Sequence, residues 1–232
     1  MPSVNHFSKQ QIATAIALLF HSIGLVGIVF FNSPAIIQAT PINLLLSFIL
    51  IIYTQPQKNK WFLLCMVTTA LVGFLAEVIG VHTGFLFGNY HYLQVLGPKL
   101  VQVPIIIAIN WFVIIYCCGI ATHTVLKKTI EKLVDKTDNI SQKAKAISVI
   151  IDGAALAVFF DWIMEPVAVQ LKFWVWHGNG TIPVYNYICW FVISIALLFL
   201  FYVLDFNKQN KFAIHLLMIQ ALFFLILRVV YL

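Results

Sequence analysis

The stretch Trp61-Phe-Leu-Leu-Cys-Met-Val-Thr-Thr-Ala-Leu-Val-Gly-Phe-Leu-Ala-Glu-Val-Ile-Gly80 contains one charged residue, Glu77. Wound as an α-helix, it is about 30 Å long, the thickness of a bilayer's hydrocarbon core. Further predominantly apolar stretches flank it at roughly 11–31, 36–54, 101–122, 146–168, 183–204 and 212–231. Each approaches the ~20 residues that a helical span requires. The reading is an all-α polytopic bundle of about seven spans, with residues 1–232 forming a single integral-membrane domain. The second span is the weakest, because Pro34 and Pro41 interrupt its start and only Pro41 to Thr54 is continuously apolar. Six spans are the alternative.

Composition agrees with this reading. The 232 residues are 62% hydrophobic and 9% charged, against roughly 45–50% and ~25% for a soluble domain. The apolar run from Ile12 to Phe31 exceeds the ~7–15 residues of a signal-peptide core, so it reads as a retained span. Cys65, Cys117, Cys118 and Cys189 all fall inside apolar runs without a C-x-x-C pair, as buried small residues do.

With seven spans, the N-terminal side carries Lys9, Lys58, Lys60, Lys127, Lys128, Lys132, Lys136, Lys143, Lys145, Lys208 and Lys211. The opposite side carries Lys99, Lys172 and Arg228. This bias predicts a cytoplasmic N-terminus and an outer C-terminus, in a plasma membrane of bacterial type. The net charge of +6 is then charge of the cytoplasmic face and not a nucleic-acid footprint. Between Thr124 and Lys145, Leu126, Ile130, Leu133 and Val134 share one helical face with lysines around the other. That pattern predicts a cytoplasmic amphipathic connector lying on anionic lipid.

The chain also echoes itself. Glu77 to Phe85 aligns without gaps with Glu165 to Phe173, and Pro104 precedes Trp111-Phe-Val-Ile114 by the same seven residues that separate Pro183 from Trp190-Phe-Val-Ile193. Each unit reads as a helix ending in a carboxylate, an aromatic loop, and a Pro-started helix carrying Trp. Spans 3–4 and 5–6 would then be parallel repeats about an axis along the membrane normal, with Glu77 and Glu165 facing a shared centre.

Of eight acidic residues, Glu77, Asp152, Asp161 and Glu165 fall within or at the ends of spans. A charge at the bilayer centre costs at least ~2.5–3.5 kcal/mol on insertion scales, so such acids are functional candidates. Asp161 and Glu165 share a helix face; Asp152 lies about half a turn away and belongs to another contact. The loops that follow Glu77 and Glu165 are dense in Gly, His and aromatic residues. His82, His91 and His177 offer no spacing that sets two metal ligands on one helical face. Nucleotide-binding and serine-hydrolase motifs are also missing.

The composite Glu77-Val-Ile-Gly-Val-His-Thr-Gly-Phe-Leu-Phe-Gly-Asn-Tyr-His-Tyr92, Leu96-Gly97, Val103-Pro104, Asn110-Trp111, Asp161-Trp-Ile-Met-Glu-Pro-Val-Ala168, Trp174-Val-Trp176 and Pro183-x-x-Asn186 resembles the integral-membrane carotenoid hydratases. These include bacterial carotenoid 1′,2′-hydratases and the archaeal bisanhydrobacterioruberin hydratase type, and the likeness spans roughly residues 60–200. The resemblance implies water addition across the terminal isoprenoid C=C of an acyclic carotenoid end, as in lycopene or γ-carotene. It implies no redox cofactor and no metal. The partners are a lipophilic polyene, water and the bilayer, with homo-oligomerisation left open.

The residues suit that chemistry independently. Protonating a trisubstituted alkene gives a tertiary cation and needs a carboxyl still protonated near neutral pH. Withdrawal from water and a neighbouring carboxylate both favour the protonated form. Asp161 or Glu165 is the expected acid and Glu77 the expected water-orienting base. Ring faces of Tyr90, Tyr92, Trp162, Trp174 or Trp176 would steady the cation. His82, Asn110, Trp111 and Asn186 complete the expected substrate-binding set. A non-catalytic polyene-binding protein and an ion-coupled transporter are the rival classes, since both can carry intramembrane acids.

Overall fold

The computed structural model describes residues 7–133 and 142–231. Helix α1 (Lys9–Val29) starts at a capping box in which Ser8 and Gln11 bond each other's backbone. A short α2 (Pro34–Gln38) and α3 (Thr40–Thr54) follow, with proline in the first turn of each. Helix α4 (Lys60–Thr83) is capped by Asn59 at its start and at its end by Gly84, whose φ of 65° is the left-handed conformation that closes a helix. Then come strands β1 (Tyr90–Tyr92), β2 (Lys99–Leu100) and β3 (Val103–Pro104). Helices α5 (Ile106–Leu133) and α6 (Gln142–Gln170), strand β4 (Trp174–Trp176), α7 (Val184–Val203) and α8 (Lys211–Tyr231) complete the order.

Six helices, all but α2 and α3, are long and apolar enough to cross a membrane. At 15 residues, α3 is only about 22 Å long. It nevertheless runs between the two ends of the bundle. Pro41 at its start lies against Gly97, while Gln55 just past its end donates to the Asn207 carbonyl at 2.8 Å. The prolines split the expected second span into the short α2 and the 15-residue α3.

Helix α5 is the axis of the bundle. Every residue from Trp111 to Ala121 is buried, and α5 packs against α3, α4, α6, α7 and α8. A helix apolar on all sides suits the centre of a bundle. Its Cys117 and Cys118 are buried there as free thiols, as Cys65 and Cys189 are elsewhere. Of the expected amphipathic connector at 124–145, the first part is a continuation of α5, which runs unbroken through Leu133, and α6 is helical from Gln142. Residues 134–141 lie outside the described residues.

The lysine-rich end is pinned by polar side chains in the α3–α4 and α7–α8 loops. Tyr116 donates its hydroxyl to Gln55, and Asn210 reaches Thr54 at 3.1 Å and Tyr116 at 3.2 Å. The opposite end is closed by a two-stranded antiparallel ribbon of β1 and β4, in which Tyr90 pairs with Trp176, His91 with Val175 and Tyr92 with Trp174.

The two echoed units are α4–β1–α5 and α6–β4–α7, and they meet through corresponding parts. Strand β1 pairs with β4, and Trp111 stacks on Trp190 with ring centroids 4.0 Å apart and planes 12° from parallel. Like meeting like is the signature of a two-fold relation.

Candidate functional site: three buried carboxylates beneath an aromatic ribbon

Side chains alternate across a strand, and the ribbon exploits this. Tyr90, Tyr92, Trp174 and Trp176 are buried on its inner face, while His91 and Val175 are only half-buried between them. Glu77, near the end of α4, accepts from the Tyr90 hydroxyl, from the Tyr92 hydroxyl at 2.8 Å and from Trp111 Nε1 at 3.0 Å. Burial and the adjacent Glu77 push both phenols up, so they remain O–H donors. Glu165, in the last turns of α6, accepts from Trp174 Nε1 and Trp176 Nε1, both at 2.7 Å and both on Oε1. Each carboxylate is therefore held by the strand of its own repeat.

Asp161 stands one helical turn before Glu165 and is fully buried. Asn186 Nδ2 at the start of α7 donates to its Oδ2 at 2.9 Å. Its Oδ1 is buried, and no donor among the described residues reaches it. The three carboxylates line one cavity of about 30 Å³, together with the four ribbon aromatics, Asn110, Trp111 and Asn186. That is room for one or two waters.

Two expected members stand elsewhere. His82 is five residues beyond Glu77, about 140° around α4; it is exposed, and its ring nitrogen bonds the Val78 carbonyl at 2.9 Å. Trp162 is 45% exposed on the outside of α6, packed under Arg228 of α8. One position of rotation from Asp161 turns it away from the cavity. Asp152 is likewise apart, accepting from Ser148 at 2.5 Å on an exposed face. Trp190, Phe87, Ile107 and Met164 also line the cavity and were not expected there. The signal for Trp190 was its correspondence with Trp111; the three apolar residues carried none.

The arrangement offers water a polar chamber, ring faces around it, and a fully buried carboxyl oxygen, Asp161 Oδ1, without a partner among the described residues. Glu77 has three donors and Glu165 has two, so both are supported as acceptors. Asp161 has only a neutral amide. Hydrogen-bond donors stabilise the ionised form of a carboxyl, and their unequal distribution separates Asp161 from the other two.

No curated protein and no solved structure matches the chain. A family model described as carotenoid biosynthesis protein matches residues 35–232. That match takes in all three carboxylates, the ribbon and every helix from α3 onward, and the chain therefore belongs to the carotenoid biosynthesis protein family.

Proposed function

We propose that this protein hydrates the terminal isoprenoid double bond of an acyclic carotenoid end, of the lycopene or γ-carotene kind. One observation carries the reading: three buried carboxylates meet on a water-sized cavity, and one of them, Asp161, has a fully buried oxygen that no donor among the described residues reaches. Binding a hydrocarbon requires no buried acid, so the carboxylates favour chemistry over storage.

Asp161 Oδ1 carries the proton, with Oδ2 anchored by Asn186. The alkene π electrons take that proton to form a C–H bond, leaving a tertiary cation and the Asp161 carboxylate. A water oxygen then forms the C–O bond, and its surplus proton passes to Glu165, whose Oε2 takes neither indole. Return of that proton to Asp161 through cavity water, across one helical turn, closes the cycle. The net change is addition of one water, with no redox step.

Glu77 stands in a different role from the expected base. Three donors hold it in place as an acceptor, so it serves as a fixed counter-charge to the cation, supported by the faces of Trp111 and Trp190. The cavity holds the nucleophile alone, so the isoprenoid end enters as lining side chains move aside. The positive-inside rule puts the lysine-rich end in the cytoplasm and the ribbon outside. External labelling of a Gly180→Cys variant reads this orientation, and protection from an impermeant reagent refutes it.

The deciding experiment is expression in cells that accumulate lycopene or γ-carotene, with chromatography and mass of the pigments. A product one water heavier, absent with Asp161→Asn at equal membrane content, is the expected result. Unchanged pigment with every acyclic end offered overturns the reading.

A further inference from the structure

Helix α6 contains Pro166 in its interior, directly after Glu165. Proline has no N–H, and its ring crowds the carbonyl four residues back. Here that carbonyl belongs to Trp162, directly after Asp161. The break in the hydrogen-bond ladder therefore falls in the turn that separates the two carboxylates of α6.

The freed oxygen is not left bare. Arg228 of α8 donates from Nη1 to the Trp162 carbonyl at 2.5 Å. The same guanidinium lies over the Trp162 ring, with Cζ 3.9 Å from the ring centroid. Arg228 is the only arginine in the chain, and it stands in the last turn of α8. A planar, multi-donor cation can lie flat on an indole and bond its backbone at once.

We infer that Arg228 is a positioning residue for the Asp161–Glu165 pair: it supplies the donor that Pro166 lacks and so fixes the turn of α6 on which both carboxylates stand. The inference rests on the hydratase reading. Arg228 bonds neither carboxylate and acts through Trp162. Without it the carbonyl loses this donor, and the turn that Pro166 leaves one N–H short would be free to relax. A change of angle there shifts Asp161 against Asn186, and Glu165 against its two indoles.

The test is a cycle of Arg228→Met, Pro166→Ala and the double variant, read as turnover per folded protein, KM and pH–rate profile. Arg228→Met should lower turnover about tenfold, the scale of one hydrogen bond to a charged donor, with KM little changed and the pH profile displaced. In the double variant the alanine that replaces Pro166 restores a backbone N–H for the Trp162 carbonyl, so most of the loss should return. A merely structural role would reduce the amount of folded protein without moving the profile.

Wild-type turnover and profile in Arg228→Met, or a double variant no better than the single, overturns the inference. If Arg228→Met does not fold, the cycle runs on Arg228→Gln, which keeps a donor without the charge. If the wild type hydrates no carotenoid, the hydratase reading fails separately. The coupling is then read from unfolding midpoints, where additive effects of the Arg228 and Pro166 substitutions refute it.

Discussion

Gly73→Ala adds one methyl group where α4 meets α5. An ideal Cβ at Gly73 would lie 2.2 Å from Cγ, 2.5 Å from Cβ and 2.7 Å from Cδ2 of Trp111. These atoms are the root of the indole, so no flexible tip can yield. The indole is also held at both of its other sides, by its 3.0 Å bond to Glu77 and by its stack on Trp190. Relief therefore means parting α4 from α5 or pulling Trp111 off the carboxylate. Overpacking costs about 1–3 kcal/mol and a lost bond to a charged group about 1.5–3; where both fall together, with roughly 1 kcal/mol regained from helix propensity, the variant should lose about 1.5–5 kcal/mol.

Unfolding of the purified protein in mixed micelles of rising dodecyl sulfate content, followed by circular dichroism, measures that loss. Gly24→Ala is the control: its Cβ would meet Phe223 at an ordinary 3.4 Å, and it should be neutral or slightly stabilising. If Gly73→Ala unfolds at the same detergent fraction as Gly24→Ala, the close approach that seats Trp111 on Glu77 is wrong.

Trp174→Phe and Trp176→Phe each keep a ring and remove one of the two N–H donors on Glu165 Oε1. Each should cost about 1.5–3 kcal/mol in the same titration, and the double more than both together, because the second removal strips a buried carboxylate of its last donor. Losses below about 0.5 kcal/mol for each would refute the hub. On the outer face of the ribbon, His91 contacts His177 at 2.9 Å; burial, His177 and Lys99 push its imidazole below the ordinary 6.5. The unfolded chain then binds the extra proton first, so stability is full above about 6.5 and declines as pH falls below it. His91→Gln should flatten that part of the stability–pH curve, and an unchanged slope would show that the pair contributes nothing.

The long apolar runs made most of the helices legible, because a membrane span is the coarsest signal a sequence carries. What the sequence hid has physical reasons. The second span is broken by prolines whose effect on direction depends on what lies beside them, here the Gly97 turn. The ribbon is built from strands of three residues, Tyr90-His-Tyr92 and Trp174-Val-Trp176, too short for propensity to register. Their aromatic–x–aromatic alternation was nonetheless the period of a strand with one buried face. Glu77, Asp161 and Glu165 stood out because acids in apolar helices demand partners. His82 and Trp162 were expected at the site by proximity in sequence, and helical rotation turns both outward.

The correspondence between the halves also locates what they do not share. Four residues before Glu165 stands Asp161; four before Glu77 stands Gly73. Three residues after Pro183 stands Asn186, and three after Pro104 stands Ile107. The frame of carboxylate, strand donors and stacked tryptophan is therefore built twice, while the carboxyl with a free oxygen and its amide anchor is built once. Sterics explain why the first half lacks its copy. The space an aspartate would need at position 73 is filled by Trp111, the residue that holds Glu77 in place. One half thus gives up the second carboxyl to packing, and the doubled frame closes around a single Asp161.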